Sequence, residues 1–241
     1  MTTTPRAAAI AASALALAFF LTGCLGGTPA ATSTPDATPA PTAAPTPTAE
    51  PVDPLTTVVA LVARPDRLEL RADDGTVVTT LDYLSSPVEA MAALTTVFGE
   101  PPVDEEYDGS NHYPPSTAHR WDAFELWELR YVDRWEGVVD VSLVHPNFVV
   151  GFTGPEALGV DLATADGRHV GDPWGDLLDA PGVMTNPTEC SGPYLEFVEL
   201  QGENPDGTPA VLKISVEFRP SDDDSGVARI GAPVPVQDSC A

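Results

Sequence analysis

The chain has 241 residues and a formal net charge of −25, with 36 acidic side chains against 11 Lys and Arg. A surface this acidic repels phosphate backbones and anionic headgroups, so the composition argues against nucleic-acid binding. Lysine occurs once, at Lys213, and Ala and Pro are abundant, a bias typical of a high-GC genome.

Residues 1–23 have the pattern of an export signal. Arg6 is the only charged residue, and Ser13 alone interrupts the apolar run over residues 7–21. A helix needs about 20 residues to span a bilayer. The run has 15 residues, which favours a cleaved signal over a membrane helix.

The stretch Leu21-Thr22-Gly23-Cys24 directly follows this run. It resembles the lipobox of bacterial lipoproteins at all four positions. The resemblance implies that the chain is cut before Cys24, that its sulfur carries acyl chains such as palmitate, and that the protein is anchored on the extracytoplasmic face of a cell membrane. With the high-GC bias, it suggests a Gram-positive surface lipoprotein. An ordinary cleaved signal or a short anchor helix are the alternatives.

Residues 24–54 are expected to form a disordered linker. Pro, Thr and Ala supply 22 of the 30 positions from 25 to 54, which leaves too little apolar surface to offset the entropy of ordering. The threonines between prolines resemble mucin-like O-glycosylation sites, and an unmodified spacer is the alternative.

Residues 55–241 are expected to form one extracytoplasmic α+β domain, mainly antiparallel sheet with two short helices. Asp-Gly at 74–75 predicts a hairpin between residues 67–71 and 76–81. Ser86 before Pro87 predicts a helix start, and Gly99 predicts its end. A long polar loop is expected over residues 101–119. Further strands are expected over residues 123–129, 138–144, 148–152 and 160–164, then a helix from Asp172 and Pro173, then a meander over 194–200, 210–218 and 227–230.

The order of elements suggests a degenerate duplication. Each half runs from an Asp-Gly hairpin to a Pro-started helix and then to strands. This order is similar to the tandem helix-plus-sheet repeats of beta-lactamase-inhibitor-like proteins, and the resemblance implies protein binding. It covers residues 66–230 and carries no site residues.

No catalytic or cofactor motif is present. The chain lacks Gly-x-Ser-x-Gly, His-Glu-x-x-His, a phosphate loop and a dinucleotide fingerprint. Asp108, His112 and His119 are residue types that bind metals, but their spacing matches no recurring pattern. We therefore expect no cofactor and no metal, and we expect that the protein is not an enzyme.

An aromatic-rich segment is the best binding candidate. Seven of the 17 aromatic residues lie within 29 positions, at Tyr107, Tyr113, Trp121, Phe124, Trp127, Tyr131 and Trp135. Tyr and Trp offer large rigid surfaces that suit sugars or protein partners, although each ring could instead fill the core. We expect Tyr107, Tyr113 and Trp121 to form the binding face.

Three functions are compatible with these features. The favoured one is a non-enzymatic binding protein for a cell-wall polysaccharide or a protein partner. The alternatives are an envelope structural or assembly adaptor and an unrecognised hydrolase.

Cys24→Ala should release the protein from membranes, because the variant has no sulfur to carry the lipid. Membrane fractionation of the wild-type protein and the variant measures the effect. A variant that stays membrane-bound and keeps residues 1–23 would show a transmembrane anchor instead.

Cys190 and Cys240 are expected to form a disulfide, because Cys24 is used by the lipid and the compartment is oxidising. The bridge would close a loop of ~50 residues and contribute roughly 4 kcal/mol in the chain-entropy description. Mass spectrometry of the unreduced, exported protein should show one linked peptide pair. Two alkylatable thiols would contradict the prediction.

Overall fold

The computed structural model describes residues 52–110, 113–131, 146–186, 192–203 and 208–236. All of them belong to one contact unit, residues 50–241. The export signal, the linker up to residue 51, the expected strand over 138–144 and the three cysteines lie outside the described residues, so the lipid on Cys24 and the Cys190–Cys240 disulfide stay predictions. Within the described ranges, no helix has the length and apolar character to cross a membrane.

Two β-sheets make up most of the described structure. The first has five strands in the order β3-β2-β1-β9-β8, and the second has seven in the order β10-β11-β12-β7-β6-β5-β4. The strands are β1 (Val58–Ala63), β2 (Arg67–Ala72), β3 (Val77–Asp82), β4 (Val103–Tyr107), β5 (Ser116–Trp121), β6 (Phe124–Leu129), β7 (Phe148–Phe152), β8 (Glu156–Ala157), β9 (Val160–Thr164), β10 (Tyr194–Glu203), β11 (Pro209–Pro220) and β12 (Val227–Pro235).

Helices are few. A 3-10 turn spans Pro54–Thr57, α1 spans Pro87–Phe98, and α2 spans Trp174–Leu178. Helix α1 begins after Ser86 and ends at Gly99, whose φ of 74° is the left-handed conformation that glycine adopts without strain. The Ser86 side chain forms no capping hydrogen bond, so proline at the first position sets this helix start.

The core lies between the two sheets and α1. The buried side chains come from both sheets and include Leu61, Leu68, Leu94, Phe124 and Phe218. Each strand of the seven-stranded sheet therefore presents one side chain to the core and the next to the opposite, outer face.

The expectation of a mainly antiparallel β fold with few helices is confirmed. The Asp-Gly hairpin, α1 and the C-terminal meander form where the sequence predicts them. Among the described strands one pair is parallel, β1 with β9. These two strands are neighbours inside the first sheet, where they connect the β1–β2–β3 part to β8.

The expected loop over residues 101–119 is wrong. Strand β4 occupies Val103–Tyr107 and pairs antiparallel with β5, from Val103 opposite Arg120 to Tyr107 opposite Ser116. The segment is polar because β4 is an edge strand whose acidic side chains face water and cations on β5. Of the described residues in this range, Pro101, Pro102 and those between Tyr107 and Ser116 lie outside the strands.

Candidate aromatic groove

Strand register decides which aromatic side chains reach the surface. Trp121 pairs with Phe124 on the core face of the sheet, and Trp127 pairs with Ala118 on the outer face. Trp121 is 1% exposed, stacks on Phe98 with ring centroids 5.4 Å apart, and donates its indole N–H to the Glu100 carbonyl at 2.8 Å. Of the three residues expected to form the binding face, Trp121 is therefore a core residue.

The structure brings Tyr107 and Tyr113 together with Trp127. These side chains line a groove of about 300 Å³ at the end of the β4–β5–β6 sheet edge. We call it the aromatic groove, and it is lined by Tyr107, Asp108, Gly109, Ser110, Tyr113, Pro114, Ser116 and Trp127.

The wall of the groove is set by the loop after β4. The Ser110 N–H donates to the Tyr113 carbonyl at 2.8 Å, and the Tyr113 N–H donates to Ser110 Oγ at 3.2 Å. Gly109 has a φ of 77°, and a Cβ there would lie 2.6 Å from the Pro115 nitrogen. Only glycine fits this turn without strain. Tyr113 lies in the same loop, at the rim of the groove, and is 72% exposed.

The two rings on the sheet are held by polar contacts. Trp127 Nε1 donates to Glu125 Oε2 at 2.9 Å, and Arg120 Nη2 donates to the Tyr107 hydroxyl oxygen at 3.0 Å. The Tyr107 and Trp127 centroids are 4.9 Å apart, and the Arg120 guanidinium lies 6.0 Å and 5.5 Å from them. Both rings are therefore oriented before any ligand arrives.

Glu125 joins this aromatic pair to the rest of the outer face. Its carboxylate is 7% exposed and accepts from Arg120 Nε at 3.0 Å and from Arg229 Nη2 at 2.7 Å. Arg120 also pairs with Glu105 on the edge strand. Burial opposes ionisation of Glu125, but hydrogen bonds from Trp127 and Arg120 and the charge of Arg229 outweigh it, so the pKa of Glu125 lies below its ordinary value.

Gly151 makes room for this network. It pairs with Glu125 across β6 and β7, and a Cβ at Gly151 would lie 2.5 Å from Arg229 Nη2 and 3.3 Å from Glu125 Oε2. The missing side chain lets Arg229 reach across β7 to the carboxylate.

A second cavity lies between the ends of the two sheets. It has about 170 Å³ and a mainly apolar lining that includes Tyr83, Asp66 and Asp82. Asp66 is paired with Arg67 and Asp82 accepts from the Leu84 N–H, so its carboxylates are already used locally. The aromatic groove offers rings and polar groups together and is the better candidate.

Metal ligands are not assembled in the part of the chain that the structure describes. There, no group of three or more His, Cys, Asp or Glu side chains is placed to hold a metal ion. His119 lies 2.7 Å from Asp104 and 3.4 Å from Glu128, and His169 lies 3.1 Å from Asp161. His112, Cys190 and Cys240 lie outside the described residues.

Sequence reasoning missed Trp127 as a groove residue and missed its supports, Arg120 and Glu125. The alternation around the β5–β6 hairpin carries the signal. Trp121 and Phe124 flank a two-residue turn and share one face, so Trp127, three positions beyond Phe124, must lie on the other.

Comparisons of the chain with protein-family models, with curated proteins and with solved structures found no match. The groove is therefore the feature from which a function can be inferred.

Glu125→Gln should lower the free energy of unfolding by about 1–3 kcal/mol at neutral pH, because two arginines and an indole N–H lose a charged acceptor. The folded-state pKa is depressed, so the stabilisation is complete above the unfolded value near 4.5 and disappears as the pH falls through the folded value. The difference between wild type and variant should therefore shrink in acid.

Denaturant unfolding at several pH values measures this difference. Glu156→Gln is the control, because Glu156 is exposed and its side chain forms no hydrogen bond or ion pair with a described residue, while its backbone pairing in β8 is unaffected by the change. Equal stabilities of wild type and Glu125→Gln at neutral pH would contradict the prediction.

Proposed function

We propose that this protein is a non-enzymatic binding module, held on the extracytoplasmic face of the cell membrane by a lipid on Cys24, whose aromatic groove takes a ligand of the cell envelope. The observation that carries the proposal is the meeting of Tyr107, Tyr113 and Trp127 around one groove on the outer face of the sheet.

Pre-orientation of the rings supports binding. Ordering a mobile side chain on association costs about 0.5–1.5 kcal/mol. Tyr107 and Trp127 are already held by Arg120 and Glu125, so much of that cost is met when the domain folds. A groove on a rigid sheet beside a loop is a common arrangement for recognition.

Export and tethering fit the same proposal. The signal and lipobox place the domain outside the cell, and a Pro-rich linker extends by about 3.1 Å per residue, enough to carry the domain several nanometres from the membrane. The duplication suggested by the two Asp-Gly turns stays a prediction, and the groove does not depend on it.

Tyr113→Ala should weaken retention of the protein on purified envelope fractions by about tenfold, which corresponds to 1.4 kcal/mol, because the ligand loses one of the three rings of the groove. Tyr113 is exposed, so its loss should leave the fold intact. Sedimentation with envelope fractions measures retention, and circular dichroism verifies the fold.

Val103→Ala is the matched control. Val103 is 73% exposed on β4, the edge strand that precedes the loop of Tyr113, and it does not line the groove, so retention of Val103→Ala should equal that of the wild type. If Tyr113→Ala folds and is retained like the control, the groove is not the binding site.

A further inference from the structure

We infer that the aromatic groove takes a neutral pyranose ring of an envelope glycan, stacked against the aromatic side chains and hydrogen-bonded through neighbouring hydroxyl groups to Asp108. The inference rests on the proposed function and specifies its ligand.

The size of the groove favours a single small ring. Its volume of about 300 Å³ is at the lower end of the range of about 300–1,000 Å³ that small-molecule sites occupy. One sugar ring of a longer chain fits such a space, with the rest of the chain lying outside.

The residues that line the groove disfavour an anionic ligand. Among the described residues that line it, Asp108 carries a charge and none is a cation. The whole chain has a net charge of −25, which adds to the repulsion of acidic polysaccharides.

A cationic ligand is disfavoured by Arg120. Its guanidinium already lies 6.0 Å from the centroid of Tyr107 and 5.5 Å from that of Trp127, within the range of cation–π attraction. A bound cation would have to share these two rings with Arg120. The apolar face of a neutral sugar has no such penalty.

Asp108 supplies the polar half of the recognition. It is exposed, lines the groove, and forms no hydrogen bond or ion pair with any residue that the structure describes. A carboxylate has two acceptor oxygens, so it can accept from two neighbouring hydroxyl groups at once. Aromatic surface and a free carboxylate in one groove match a ring that is apolar on its face and hydroxylated at its edge.

The test uses the full-length lipidated protein in a polyoxyethylene detergent, which carries neither sugar nor charge. Envelope fractions are treated with periodate, which cleaves vicinal diols, and retention is compared with that on untreated fractions. Periodate should abolish the retention that depends on Tyr113. Raising the salt concentration should leave that retention unchanged, since screening weakens only charged contacts.

Soluble glycans released from the same fractions are then separated by ion exchange and used as competitors. The neutral pool should compete, and the acidic and basic pools should not. Asp108→Ala should lower retention about fivefold to tenfold, and Asp108→Asn, which keeps one acceptor oxygen, should lower it less.

The possible failures are distinguishable. If Tyr113→Ala lowers retention but periodate does not, or if the basic or acidic pool competes instead of the neutral one, the inference is overturned and the proposed function stands. If Asp108→Asn lowers retention as much as Asp108→Ala does, and added salt releases the wild-type protein from the envelope fractions, the ligand is a cation and the inference is overturned. If Tyr113→Ala changes nothing, the proposed function itself is wrong.

Discussion

The outer face of the seven-stranded sheet depends on one buried carboxylate. Glu125 accepts from Trp127, Arg120 and Arg229, which come from its own strand and from the strands β5 and β12. Because these donors satisfy it, Glu125 stays ionised although it is almost fully covered. The same contacts fix Trp127 directly and Tyr107 through Arg120, so the geometry of the groove follows from the network beneath it.

The local signals of the sequence predict much of the fold. Proline at 87 and glycine at 99 bound α1 as expected, and the Asp-Gly turn joins β2 to β3. These features depend on a few consecutive residues, so they are readable without tertiary information. Strand β4 is different, because its cation partners lie on other strands. Arg120 and Arg130 are 15 and 24 positions from Glu105 and Glu106. Without those partners, a run of acids resembles a solvated loop.

Local sequence signals also fail to show which tryptophan of the β5–β6 hairpin faces the groove. Trp121 and Trp127 have the same chemistry and lie six positions apart, so strict alternation along one strand would place them on the same face. The two-residue turn at Asp122 and Ala123 puts Trp121 opposite Phe124, in the core. Composition places aromatic residues in this segment, and only the register separates the core ring from the ring of the groove.

The network also explains why a charged face can support recognition by aromatic rings. Taking a carboxylate and two arginines partly out of water costs free energy, and such groups are weak contributors to stability by themselves. Their effect here is geometric, because Gly151 lets Arg229 close over Glu125, and Glu125 in turn holds the indole of Trp127. The rings therefore keep one orientation without being buried, which a purely apolar contact could achieve only by covering the surface that a ligand needs. Tyr107 and Trp127 are thus both partly exposed and rigid, because Arg120 holds the Tyr107 hydroxyl and Glu125 holds the Trp127 indole N–H.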